Sequence, residues 1–280
     1  MVAVALGLAA SLSWGVADFL GGLKSRQKGV LVVLVLSQAV GALLLAVIVA
    51  ARGEGPPGSE YLLLGALAGL SGLVGLAAFY RGMAVGAMAV VAPISATGAA
   101  IPVAVGVSAG ERPGAIQAVG VAVALVGVVL AAREHGHGGA GTRVAAGTGL
   151  ALVAAFGFGG FFVGLDAASD ADVLWALLAA RTCDTVLLVG LALGMRAKPD
   201  LSGRDVRDLA AVGIFDVTAN ALFAVASTQG LVSLVAVLAS LYPVVTIFLA
   251  AMVLKERIRP SQAAGVALAL AGVAAIAAGG

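Results

Sequence analysis

Apolar residues run through this chain in blocks of about 20, the length an α-helix needs to cross roughly 30 Å of hydrocarbon. Ten blocks stand between short clusters of charge, proline or glycine: 2–22, 29–51, 61–80, 83–109, 114–132, 144–165, 173–195, 206–228, 232–254 and 261–279. They predict an all-α integral membrane protein of ten transmembrane helices. The connectors are brief: Lys24-Ser25-Arg26-Gln27-Lys28, 52–60 with Pro56-Pro57, the Glu111-Arg112-Pro113 corner, 133–143, 166–172 and 196–205. Only Arg81-Gly82 divides the third block from the fourth. Nothing is left over for a soluble domain.

A second pattern overlies the first. Glu256, Arg257, Gln262, Gly265 and Gly272 fall 145 positions after Glu111, Arg112, Gln117, Gly120 and Gly127, which makes 230–272 a copy of 86–127. Near the start of each half, Gly7-Leu8, Trp14-Gly15 and Phe19 are echoed 142 positions later by Gly149-Leu150, Phe156-Gly157 and Phe161. Equivalent positions are separated by five spans, and each crossing reverses direction, so the pattern predicts two inverted five-helix repeats, 1–136 and 137–280. In carriers built this way the substrate site lies near the bilayer midplane between the halves, and their exchange of conformation gives alternating access. Glycines at close spacing, such as Gly65, Gly69 and Gly72 or Gly157, Gly160 and Gly164, let helices approach closely in lipid.

Composition agrees with the bilayer and narrows the partners. The chain of 280 residues is 61% hydrophobic and 11% charged, well outside the balance of a soluble domain, with a mean hydropathy of +1.13. A net charge of +2 spread over scattered basic residues gives no nucleic-acid footprint. The first charge is Asp18, so the start lacks the basic region of a cleaved signal peptide and reads as a retained span. Cys183 has no partner cysteine, and no disulfide framework is expected.

Ionisable side chains within spans are costly, so each needs a partner, water or a function. Asp18 lies in the first block, Arg181 and Asp184 in the seventh, and Asp216 in the eighth. Helical spacing puts Trp14 and Asp18 on one stripe, Arg181 beside Asp184, and Asp216 beside Asn220. Ser37 and Gln38 lie 144 positions before Arg181 and Thr182, so both halves supply equivalent polar positions to one cavity. An Arg181–Asp184 pair is either a neutralising ion pair or a substrate anchor, in which the guanidinium fork matches an amino-acid carboxylate. Asp216 has no cation on its own helix, which makes it the first candidate for a proton-coupling carboxyl, against a satisfied interhelical hydrogen bond. Asp18 reads equally as a group hydrated near the interface. Trp14 and Tyr242 are either cavity walls or packing aromatics, and Pro243 would loosen a helix where a rocking carrier bends.

The loops carry less. His135-Gly136-His137-Gly138-Gly139 lacks nearby thiolates and reads as a linker rather than a metal site. Asp166, Asp170 and Asp172 read as caps or solvated acids, and the Glu111-Arg112 and Glu256-Arg257 corners as interface anchors and helix-end caps. No catalytic set, phosphate loop, zinc spacing or cofactor motif is present in the sequence, so an enzyme is not expected.

Ser13-Trp14-Gly15 in the first block, Gly110-Glu111-Arg112 and Lys255-Glu256-Arg257 after the fourth and ninth, and the Gln/Gly/Gly pattern behind each resemble the EamA-type ten-helix carriers of the drug/metabolite transporter superfamily. The resemblance covers the whole chain. It implies a bacterial inner-membrane protein that exports or takes up a small metabolite, often an amino acid, through a central cavity, with protons a candidate coupling ion. One departure stands out: the proline 13 residues before the glutamate is Pro243 in the second half, whereas the first half has Gly98 there and prolines at Pro93 and Pro102. Efflux of lipophilic or quaternary cations is the alternative, for which an acidic, aromatic-lined cavity suffices; a non-transporting scaffold or sensor is a third. Orientation is open. Lys and Arg crowd the connectors after odd-numbered blocks, and only Arg52 and Arg112 follow even ones, which puts both termini outside; the resemblance puts them in the cytoplasm.

Overall fold

The structure, a computed structural model, describes residues 1–85, 88–131, 141–196, 200–253 and 260–279. Among these the chain is helical and has no strand. In order the helices are α1 (Val2–Lys28), α2 (Val30–Arg52), α3 (Ser59–Val85), α4 (Met88–Ala96), α5 (Ala100–Ser108), α6 (Ala115–Ala131), α7 (Gly141–Ser169), α8 (Val173–Gly194), α9 (Gly203–Ser227), α10 (Val232–Ala239), α11 (Tyr242–Val253) and α12 (Pro260–Ala278). A 3-10 turn, Thr97–Ala99, joins α4 to α5. Eight stretches are long and apolar enough to cross a membrane, counting α4–α5 and α10–α11 as one stretch each; α6 and α12 are apolar but shorter.

Several boundaries differ from those the sequence predicts. The basic stretch from Lys24 to Lys28 is the last turn and a half of α1, which stops only at Gly29, where φ is +82°. Its lysines remain helical because they find acids: Lys24 Nζ lies 2.9 Å from both Asp205 and Asp208, and Lys28 Nζ 3.1 Å from Asp205. Arg81-Gly82, expected to divide two spans, lies inside α3, where Arg81 faces outward. α9 starts earlier than its hydropathy indicates, because Ser202 and Asp205 form a reciprocal capping box. Lys255-Glu256-Arg257, the His135-to-Gly139 stretch and the division at 136/137 lie outside the described residues.

Packing between the halves is reciprocal. α1 packs on α9 as α7 packs on α3; α2 packs on α9 as α8 packs on α3; and α10 and α11 pack on α1 as α4 and α5 pack on α7. The α6–α12 contact shows the same exchange at atomic scale. A methyl on Gly120 would stand 2.8 Å from the carbonyl oxygen of Gly272, and one on Gly127 would stand 2.7 Å from that of Gly265. Gly265 and Gly272 are the counterparts of Gly120 and Gly127, so each glycine meets the counterpart of the other. The missing side chains let the two backbones touch.

Both long apolar stretches that contain prolines break at matching places. The first breaks at Thr97–Ala99 and the second at Ser240-Leu241. In the second, Pro243 falls in the first turn of α11, where its missing N–H costs no helical bond. In the first, Gly98 occupies the equivalent place, and any Cβ there would strike the carbonyl oxygen of Ala155 on α7. The two halves thus make the same break by different chemistry. Tyr242 ties the breaks together: its hydroxyl lies 2.8 Å from Ser95 Oγ and donates to the Ala92 carbonyl at 3.3 Å, joining α11 to α4.

Candidate functional site

A cavity lies between the halves. α1 brings Trp14 and Asp18 to it, α8 brings Arg181 and Asp184, α9 brings Asp216 and Asn220, and α11 brings Tyr242. Gly72 and Leu76 from α3 and Phe158, Phe161 and Phe162 from α7 complete the lining. The ionisable members sit near the middles of their helices.

Arg181 is the hub of the polar part. Its Nη2 lies 3.1 Å from Asp216 Oδ2 and its Nη1 lies 3.2 Å from Asp184 Oδ2, while Nη1 also donates to the side-chain oxygen of Gln38. Trp14 Nε1 donates to the other oxygen of Asp216 at 3.2 Å. Asn220 Nδ2 donates to the backbone carbonyl of Asp216 at 2.7 Å, a local bond one turn back along α9. Asp18 is 6% exposed and has no cation partner among the described residues; Asp216, Tyr80 and Tyr242 stand within electrostatic reach of it. Two buried atoms of the hub have no hydrogen-bond partner, Arg181 Nε and Asp184 Oδ1.

The ring cluster fixes the shape of the cavity. Trp14 stacks at a tilt on Phe162, with centroids 5.5 Å apart, and Phe162 on Phe223 at 4.6 Å. Trp14 therefore reaches from α1 across to α7, and its indole N–H faces Asp216 while its ring faces aromatic carbon.

Seven of the residues singled out in the sequence meet here: Trp14, Asp18, Arg181, Asp184, Asp216, Asn220 and Tyr242. Three stand behind or beside the cavity. Gln38 holds Arg181 from α2, Ser37 donates to the Leu34 carbonyl at 3.4 Å and faces no open space, and Pro243 sets the start of α11 behind Tyr242. Of the two readings of Arg181 and Asp184, the internal ion pair is present. α8 also delivers Arg181 to Asp216, whose own helix has no cation beside it, a pairing that no spacing along α9 reveals. Asp18 is buried.

The sequence reading marked Gly72 only as a packing glycine and passed over Leu76, Phe158 and Phe162, though the sequence held the signal. Phe158 and Phe162 lie 144 positions after Trp14 and Asp18, and Gly72 and Leu76 lie 144 positions before Asp216 and Asn220. Aligning the start of the halves at 142 instead pairs Trp14 with Phe156, which is 71% exposed and points away from the cavity.

Further ties between the halves flank the cavity at opposite ends of the helices. At one end are the Lys24, Lys28, Asp205 and Asp208 pairs. At the other, Arg52 lies 2.5 Å from Asp172, which also caps α8. There too the Glu111 carboxylate accepts from the backbone N–H groups of Val232 and Ser233 at 2.6 and 3.1 Å, capping α10 of the other half.

Residues 1–133 and 145–278 each match the EamA-like transporter family. The chain belongs to that family. Its fold is also that of a solved crystal structure, aligned with a TM-score of 0.76 over 98% of this chain and 95% of the other at 18% identity. No curated protein matches the sequence. Membership of the EamA-like family, within the drug/metabolite transporter superfamily, together with the long apolar helices, makes this an integral membrane protein of a transporter family.

Proposed function

We propose that this EamA-like protein is a secondary-active carrier of small polar metabolites, with ten spans in two inverted halves, 1–136 and 137–280, that alternate access to the central cavity. The observation that carries the reading is the cavity's position. It lies between helices that pack reciprocally, borders the break at Tyr242, and holds three carboxylates and a guanidinium near the middles of their helices. Charge at that depth is expensive and is kept where a pathway needs it. The ties at the two ends join one half to the other, so opening either end requires breaking one set.

The direction we assign is export from the cytoplasm across a bacterial inner membrane, with protons as the coupling ion and Asp18, which has no cation partner among the described residues, as their carrier. The substrate is amine-bearing, of the kind that includes amino acids. Reconstitution tests this: liposomes loaded with a radiolabelled amine and amino-acid panel should release a member faster with protein than without, and Asp216→Asn should slow that release at least about tenfold, the effect of losing a charge-assisted bond. Absence of flux for every member would favour a non-transporting scaffold.

A further inference from the structure

The cavity is closed toward both ends of the helix bundle. α1 and α9 form its polar wall, with Asp18, Asp216 and Asn220; α3 and α7 form its apolar wall, with Leu76, Phe158 and Phe162. Toward the end that carries Lys24 and Asp205, the next turn of α3 beyond Leu76 brings Phe79, whose ring meets that of Phe158 edge-on with centroids 5.6 Å apart. Toward the end that carries Arg52 and Asp172, the next turn of α9 beyond Asn220 brings Phe223, whose ring meets Trp14 at 6.0 Å. Phe79 lies 144 positions before Phe223, and Phe158 lies 144 after Trp14, so one aromatic pair is the copy of the other.

Each of these pairs lies within one wall. What shuts the cavity is the step across to the other wall, and there the two ends differ. At the Lys24 end, Tyr80 crosses from α3 to α1 and lies on Gly21, where a Cβ would strike both its hydroxyl and its ring. Tyr80 is buried, as are Phe79 and Met83 on the same helix. One turn farther out, Arg26 Nε donates to the Met83 carbonyl at 3.0 Å, again joining α1 to α3. At the Arg52 end, Phe162 crosses from α7 to α9 and lies on Phe223, with centroids 4.6 Å apart. The counterparts of Gly21 and Tyr80 at that end are Leu165 and Ala224, so the large and the small residue have changed places, and the counterpart of Phe162 at the Lys24 end is Asp18. The duplicated scaffold thus has a closure at each end but not the same chemistry: a phenol seated on bare backbone at one, a ring on a ring at the other. A ring pair adds only about 0.5–1.5 kcal/mol beyond its buried area, small enough to be broken and remade.

We propose that Tyr80 on Gly21 and Phe162 on Phe223 are the two gates of the cavity, both shut in this structure, and that they open alternately. α1 and α9 are joined at Ser13 and again at Lys24, and α3 and α7 pack closely, so the two walls move as bodies. A tilt of one wall against the other separates α1 from α3 at one end or α7 from α9 at the other. The alternation rests on the carrier reading; which contact shuts which end is tested without transport.

Side-specific labelling of a thiol in the cavity tests the assignment. In a Cys183→Ser background, Leu76→Cys supplies the reporter, and Arg204→Cys and Glu54→Cys, at exposed positions, mark the Lys24 end and the Arg52 end. A membrane-impermeant methanethiosulfonate is applied to right-side-out and to inverted vesicles, so both ends are probed whichever way the chain lies. With both gates intact, the reporter should react more slowly than the surface marker at either end. Tyr80→Ala, which removes the plug, and Gly21→Ala, which fills its seat, should each speed labelling at the Lys24 end at least about tenfold, the change when the open state is populated ten times more often. Phe223→Ala should do the same at the Arg52 end only. The assignment is overturned if the reporter reacts as fast as a surface marker before any gate is altered, or if the gate variants speed labelling at the wrong end, at both ends alike or not at all. The first comparison needs no gate variant, so a poorly folding one does not shield the idea. In liposomes, side-specific opening without flux of any metabolite would sink the carrier reading alone, whereas flux with no side-specific opening would sink the gates alone.

Discussion

The α1–α9 wall and the α3–α7 wall of the cavity are counterparts in the duplicated chain, and they have diverged in opposite directions. Both are antiparallel helix pairs. On the α3–α7 side, Gly75 and Gly157 bring the backbones into contact, and a methyl on Gly72 would stand 2.9 Å from the Phe161 ring. On the α1–α9 side the helices are joined by side-chain bonds: Ser13 Oγ to the Phe215 carbonyl at 2.7 Å, Trp14 to Asp216, and Lys24 to Asp205. Duplication therefore supplies the geometry of a cavity, while the substitutions that separate the copies supply its chemistry. A site symmetric in backbone can recognise an asymmetric ligand only if its walls differ in this way.

That contrast can be broken at graded cost. The largest effect is expected for Arg181→Ala. It leaves Asp184 and Asp216 buried without their cation, a loss of about 3–5 kcal/mol by the behaviour of broken buried pairs, and should appear as a large drop in the apparent unfolding temperature in detergent. An unchanged midpoint would mean that the acidic wall is not held together by this hub. Next comes Leu76→Asn, which writes the polar wall's residue onto the apolar one. The buried amide has no partner there, so about 1–3 kcal/mol of stability should go, read from the same melting curves. An unchanged midpoint would show that the α3 wall accommodates a polar side chain. The smallest effect belongs to Trp14→Phe, which keeps the ring against Phe162 and removes the N–H bond to Asp216, at a cost of about 0.5–1.5 kcal/mol read from the same melting curves.

The break points offer a second comparison. Pro243 and Gly98 occupy equivalent places with unrelated chemistry, one lacking a backbone donor and the other lacking a Cβ that would strike Ala155. The sequence has a proline at only one of these two places. The structure has the break regardless, because what α4 needs there is close approach to α7.

Much of this protein was legible before any coordinates. Runs of apolar residues dictate membrane helices because the bilayer leaves backbone groups no partner outside the helix. The repeat offset implies two related halves, since equivalent residues recur through whole helices. Expense alone picks out Asp18, Arg181, Asp184 and Asp216, because charge within such a run demands an explanation. What the sequence left undecided is who pairs with whom. Asp216 meets Arg181 across α9 and α8, Gln38 braces that arginine from α2, and Asp18 has no cation partner among the described residues. Those partnerships are set by how helices far apart in the chain lie against one another, over side-chain distances that no linear spacing encodes. They decide which of the cavity's charges are already paired within the protein.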